Sequence, residues 1–130
     1  MTVGTVRGPA TLRFRSKIWL EVDGDSVFCH GLRDMLQAVE STGSIKAAAT
    51  HVGRSYRFVW ARIKQAEESL GATLVKTQVG GRGSRRSELT DVARNLVVTF
   101  DDLRQRVFEL ANEAFERRIK PTLHQQTPSH

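Results

Sequence analysis

The sequence predicts a mainly α chain with a small β component, and three observations carry that prediction. Apolar residues recur at helical spacing from Leu32 to Leu70 and again from Ala93 to Ala114. Gly43, Gly53 and Gly71 each stand just past the end of one such run, where helices stop. Strand-like patterning is confined to the start of the chain and to the two flanks of a glycine-rich loop. A length of 130 residues fits one domain, or one domain with an appendage.

Residues 11–22 place Leu12, Phe14, Ser16, Ile18, Leu20 and Val22 on one side and mostly charged residues on the other, which predicts a strand. Asp23-Gly24-Asp25 supplies turn chemistry and 26–29 returns, so the pair reads as a β-hairpin that must pack on something. Leu32, Met35, Leu36 and Val39 form the stripe of a first helix ending at Gly43. Ser44 caps a short second helix, broken at Val52-Gly53, and Ser55 caps a third whose Val59, Ile63, Ala66 and Leu70 face inward. Short helix, glycine-containing turn and basic helix make the outline of a helix-turn-helix. Residues 72–78 read as a strand, 79–86 as a basic glycine-rich loop and 87–89 as the returning strand, which is the shape of a wing. Thr90 caps a long helix with no Pro or Gly before Pro121. Along it Ala93, Leu96, Phe100, Leu103, Val107, Leu110 and Ala114 alternate spacings of three and four, the pattern of a coiled-coil seam. Leu96, Phe100, Leu103, Val107, Leu110 and Ala114 are the expected dimer interface; the other reading is a helix packed on its own domain. The expected organisation is a flexible 1–10, a winged helix-turn-helix with its hairpin over 11–90, a dimerisation helix over 91–119 and a polar, disordered tail over 120–130.

The net charge is +6, with 20 Lys and Arg against 14 Asp and Glu. Residues 51–86 hold Arg54, Arg57, Arg62, Lys64, Lys76, Arg82, Arg85 and Arg86 against Glu67 and Glu68 alone, a surplus that equals the whole net charge. Such a window is expected to meet phosphate. Cys29 is the single cysteine, so no internal disulfide forms and a reducing cytosol is expected. No apolar run approaches the roughly 18 residues of a membrane span, and the first ten residues lack a signal peptide's apolar stretch.

With Val59, Ile63 and Ala66 inward, the third helix turns Arg57, Ala61 and Lys64 outward. Arg57, in its first turns, is the candidate for base readout, and Lys64 for the backbone. Ser44 and Ser55 stand at helix starts, where free amides hold a phosphate oxygen or a plain N-cap suffices. Trp60 either stacks on sugar and backbone or packs between helices, and Tyr56 either bonds a phosphate or base or packs. Lys46 and Arg54 complete the helix-turn-helix set. Arg82, Arg85 and Arg86 place three arginines in the loop, suited to a narrow minor groove or flanking phosphates, unless the loop is merely solvated.

Nothing marks an enzyme. His30, His51, His124 and His130 lie far apart, none at metal-ligand spacing with Cys29 or carboxylates. There is no Gly-x-Ser-x-Gly elbow, and Gly80–Gly83 lacks the Gly-Lys-Ser/Thr ending of a nucleotide loop. No cofactor and no metal are expected.

The combination of Thr42-Gly43-Ser44-Ile45-Lys46-Ala47-Ala48-Ala49, Ser55-Tyr56-Arg57-Phe58-Val59-Trp60, Leu74-Val75-Lys76 with Gly80-Gly81-Arg82-Gly83, and Leu89-Thr90 resembles the winged helix-turn-helix domain of molybdate-responsive ModE-type regulators, itself similar to that of LysR-type regulators. The hairpin with Ile18-Trp19-Leu20-Glu21-Val22-Asp23-Gly24 looks like the start of their short, single-domain members. The resemblance covers about residues 11–115 and implies a cytoplasmic, homodimeric, sequence-specific binder of double-stranded DNA. It places the helix from Ser55 in the major groove, the wing beside it and the helix from Thr90 between protomers. Ser84-Arg85-Arg86 departs from the usual glycine run after Gly83. The Ser-Ala-Arg-Asn segment of the oxyanion-binding domain is absent from this sequence, so molybdate sensing is not expected of it. The alternatives are a dimeric adaptor for an acidic protein, and oxyanion sensing or storage at a dimer interface. Operator, regulated genes, direction of regulation and effector are not legible.

Overall fold

The computed structural model describes residues 10–79 and 85–125. The chain forms two compact units, Ile18–Arg104 and a second made of Met1–Lys17 with Gln105–His130.

In the first unit β1 (Leu20–Val22) and β2 (Asp25–Phe28) pair antiparallel. The turn between them has positive φ at both Asp23 (51°) and Gly24 (87°), the two-residue geometry whose twist matches the strands it joins. The strand expected over 11–22 is therefore short. Only Ile18, Leu20 and Val22 of its apolar side rest on the core, and residues 10–19 make no ladder.

Helix α1 (His30–Thr42) buries Leu32, Met35, Leu36, Ala38 and Val39. It ends at Gly43, whose φ of 86° lets its N–H reach the Val39 carbonyl at 2.8 Å. Helices α2 (Ile45–Val52) and α3 (Tyr56–Leu70) follow, with Ala48 and Ala49 from the one and Val59, Ile63 and Ala66 from the other in the core. Their small residues let the two helices approach closely across the turn at Gly53. Strands β3 (Val75–Val79) and β4 (Arg85–Leu89) make a second antiparallel pair, in register from Val75 opposite Leu89 to Val79 opposite Arg85. The first strand thus starts later than the expected residue 72 and both run further toward the loop, placing Arg85 and Arg86 on β4 rather than in the loop. Arg82, also expected at the tip, lies outside the described residues.

Helix α4 (Asp91–Ala114) is capped by Thr90, whose Oγ1 accepts from the Ala93 N–H at 3.2 Å. Ala93, Val97 and Phe100 are buried in the first unit. Phe100 is 3% exposed and meets Phe28 edge-on, ring centroids 4.9 Å apart. Phe100 is therefore a core residue, a correction to its place in the expected dimer interface, and Leu96 is partly covered by the same core. The unit runs on to Arg104 instead of stopping near residue 90 because these side chains belong to it. Arg33 clamps α1 to α4 with a two-pronged bond to Asp101, Nε to Oδ1 at 2.9 Å and Nη2 to Oδ2 at 2.7 Å.

In the second unit Phe14 lies against Phe108 and Phe115, centroids 5.8 and 6.2 Å away, with Phe115 buried. After Ala114 the helix widens into a π-helical turn, Phe115–Ile119, and Lys120 donates back to the Phe115 carbonyl. Pro121, which has no N–H to continue a regular ladder, comes next. The expected tail is helical at its start: α5 spans Lys120–Gln125.

Candidate nucleic-acid interface

Turn residues and one carboxylate fix the positions of α2, α3 and the β3–β4 pair. Ser44 Oγ accepts from the Ala47 N–H at 2.9 Å and Ser55 Oγ from the Phe58 N–H at 3.1 Å, so both serines cap their helices. Glu67, on α3, accepts the backbone N–H groups of Leu74 (2.7 Å) and Val75 (3.1 Å), tying the start of β3 to the end of the basic helix. The Ser87 N–H donates to the Gly43 carbonyl at 2.8 Å, joining β4 to the α1–α2 turn. The positive φ calls for glycine at Gly43, where an added Cβ would make only ordinary van der Waals contact, 3.5 Å from the Arg86 guanidinium.

A second carboxylate, Glu40, completes the frame. It accepts from Arg94 Nε and, at 3.2 Å, from the Leu89 N–H, joining α1 to β4 and α4. The hydrogen bond from Arg94 holds the Glu40 carboxyl below the usual glutamate range, against the opposing effect of burial. Arg94 is raised by the same contact, and Arg33 by its hydrogen bond to Asp101.

The frame encloses a groove of about 260 Å³ between the start of α2, the outer side of α3 and the β3–β4 pair. Ser44, Lys46, Tyr56, Trp60, Lys64 and Arg85 line it, so six of the expected site residues converge. Tyr56 and Trp60 are 51% and 44% exposed, one turn apart on α3. Trp60 thus presents much of its indole to the groove rather than serving only as packing between helices. Thr77 and Ser87 also line it, their hydroxyls 3.0 Å apart across the strands. No sequence pattern marked them, because they become neighbours only once the strand register is known.

The cations of the 51–86 window are used unequally. Arg54 lies 3.8 Å over the Phe58 ring and lines a different cleft, between α1 and α2. Arg62 turns toward Cys29 Sγ at 3.7 Å and Gln65 at 3.2 Å. Lys64 pairs with Glu67 at 3.2 Å and Lys76 with Glu88 at 3.6 Å. Arg86 lies over Gly43, where its charge also helps lower Glu40. Among the described residues Arg57, Arg85 and the neighbouring Lys46 are exposed with no carboxylate partner, and Ala61 is exposed beside Arg57. These free charges surround exposed aromatic and hydroxyl groups, a chemistry that suits phosphate oxygens and base edges.

On α4 the heptad positions divide. Leu103 and Leu110 are 46% and 74% exposed, Val107 is half-buried and Ala114 exposed. Among the described residues no three His, Cys, Asp or Glu are grouped to hold a metal ion, and no helix is long and apolar enough to cross a membrane.

Residues 33–94 match the model of bacterial regulatory helix-turn-helix proteins of the lysR family. Among curated proteins the chain is similar to the molybdenum transport protein ModE of Herbaspirillum seropedicae, 33% identical over 58% of this chain and 28% of that one. It is also similar to the protein of the same name in Azotobacter vinelandii, 28% identical over 88% of this chain and 41% of that one. The chain thus spans less than half the length of these relatives. Among solved structures it is similar to ArgP from Mycobacterium tuberculosis, with TM-score 0.44 and 26% identity over 67% of this chain and 29% of that one.

Proposed function

From a chain whose residues 33–94 match the model of lysR-family helix-turn-helix proteins, we propose a transcription regulator that binds a sequence-specific duplex site as a homodimer. The observation that carries the reading is the groove itself. Lys46, Tyr56, Trp60 and Arg85 line it, and Arg57 stands exposed on the same helix as the two aromatics. In this reading α3 enters a major groove with Arg57 at the base edges. Ser44, Lys46 and Arg85 take phosphates on either side, and Lys64 adds a backbone contact. Trp60 and Tyr56 stack on sugar or meet a thymine methyl.

Dimerisation rests on Leu103 and Leu110, heptad-spaced and left exposed by the chain's own cores. A twofold pair would present two α3 helices to half-sites about one helical turn apart, roughly 34 Å, or a multiple of it. The protein then acts in the cytoplasm, without a catalytic step.

The test is selection from a random duplex pool followed by titration over a salt series. Affinity should fall steeply with salt while the selected duplex stays preferred by about 10³-fold or more over mixed sequence. Equal affinity for selected and mixed duplexes would overturn the reading.

A further inference from the structure

Grouped by compact unit, the charge is distributed differently from its order along the chain. Ile18–Arg104 carries twelve Lys and Arg and eleven Asp and Glu, so the unit that holds the groove is nearly balanced. Residues 10–17 and 105–125 carry seven Lys and Arg against Glu109, Glu113 and Glu116. Two of those carboxylates are engaged within the helix, Glu113 with Arg117 at 3.5 Å and Glu116 with Lys120 at 3.2 Å. Arg117 and Lys120 are taken up in this way, whereas Arg13, Arg15 and Lys17, like Arg118 on the helix, are exposed and have no ion pair among the described residues.

The segment that carries Arg13, Arg15 and Lys17 is anchored at one point. Phe14, between the first two, is pinned against Phe108 and Phe115. A short basic segment anchored by one aromatic side chain loses less freedom on binding than a loose tail does. We propose that residues 13–17 form a phosphate-binding arm, a second DNA contact that grips the duplex backbone independently of its sequence. The proposal rests on the reading above in taking duplex DNA as the ligand. A lipid surface fits less well, because the aromatic ring that would insert is committed to Phe108 and Phe115.

The test uses the full chain and a mixed-sequence duplex of about 40 base pairs over a salt series. The triple variant Arg13→Ala, Arg15→Ala, Lys17→Ala should bind about tenfold or more weakly at low salt. Its slope of log affinity against log salt should be shallower by about 2 to 3, since each phosphate contact contributes about 0.9. The charge-retaining pair Arg13→Lys, Arg15→Lys should keep the wild-type slope. A triple variant with the wild-type slope overturns the arm, as does an arm whose removal abolishes binding to anionic phosphatidylserine vesicles but not to DNA. The two proposals fail separately. Arm-dependent binding with no sequence preference leaves the arm standing and sinks the regulator reading, whereas a preserved preference with an arm-independent slope does the reverse.

Discussion

At the scale of single residues, Arg57 and Glu40 put charge to opposite uses. Arg57 is exposed and unpaired among the described residues on the outward side of α3, so its energy is available to a ligand. Arg57→Ala should cost about 1 to 3 kcal/mol on the selected duplex, as a guanidinium paired with a guanine edge does, and much less on mixed sequence. Equal losses in a side-by-side titration would take Arg57 away from base readout. Glu40 spends its charge on the fold, between Arg94 and the Leu89 N–H. Its lowered carboxyl contributes stability that is complete above the ordinary glutamate range and is lost as pH falls through Glu40's own depressed value. Urea melts from about pH 7 to about pH 3 should therefore show a shallower acid-side loss in Glu40→Gln than in wild type. Unchanged acid dependence would place that stability in other carboxylates. Arg57 was legible from the sequence because facing outward on a helix is a local property of spacing. Glu40 was not, since its partners stand 49 and 54 residues away in the chain.

At the scale of elements, capping and periodicity located every helix of the first unit, because each is decided within a turn or two of the chain. The base of the wing departs from its local pattern. Arg85 and Arg86 look like loop residues beside a glycine run, yet cross-strand pairing with Val79 and Gln78 carries them into β4. Arg85 then lines the groove while Arg86 lies over Gly43. The helix α4 shows why a heptad pattern alone is ambiguous: the same repeat serves an intramolecular core at Ala93 and Phe100 and leaves Leu103 and Leu110 open. Two substitutions separate the two uses. Phe100→Ala should lower unfolding stability by about 3 to 5 kcal/mol through loss of the contact with Phe28. Leu103→Asp should leave the protomer folded by circular dichroism and convert dimers to monomers in sedimentation. A dimer that survives Leu103→Asp would show that the exposed leucines are not the seam.

At the scale of the whole molecule, the cationic surplus of residues 51–86 is offset mainly by carboxylates elsewhere in the same unit. Lys64 and Lys76 pair with Glu67 and Glu88, whereas the Arg54 guanidinium rests on the uncharged Phe58 ring and keeps its charge. A linear window counts only the charges it contains, whereas Glu88 reaches Lys76 from outside it across the strand pair. The surplus belongs mainly to the unit containing both ends of the chain, and this is what makes the arm at residues 13–17 testable by salt dependence. The Arg57→Ala and arm variants should combine almost additively on mixed-sequence duplex, since each removes its own contact with the DNA. A large coupling between them would mean that the arm takes part in placing α3.

The ends of α1, α2 and α3, the caps at Ser44, Ser55 and Thr90, the hairpin turn at Asp23-Gly24 and the outward side of α3 were determined by the sequence alone, because each depends on residues close along the chain. Tertiary structure decided which cations remain free, which half of the α4 seam is already buried, and that Thr77 and Ser87 face the same groove as Lys46 and Trp60. Those outcomes depend on partners brought together from distant parts of the chain by a shared core, and no local pattern encodes them.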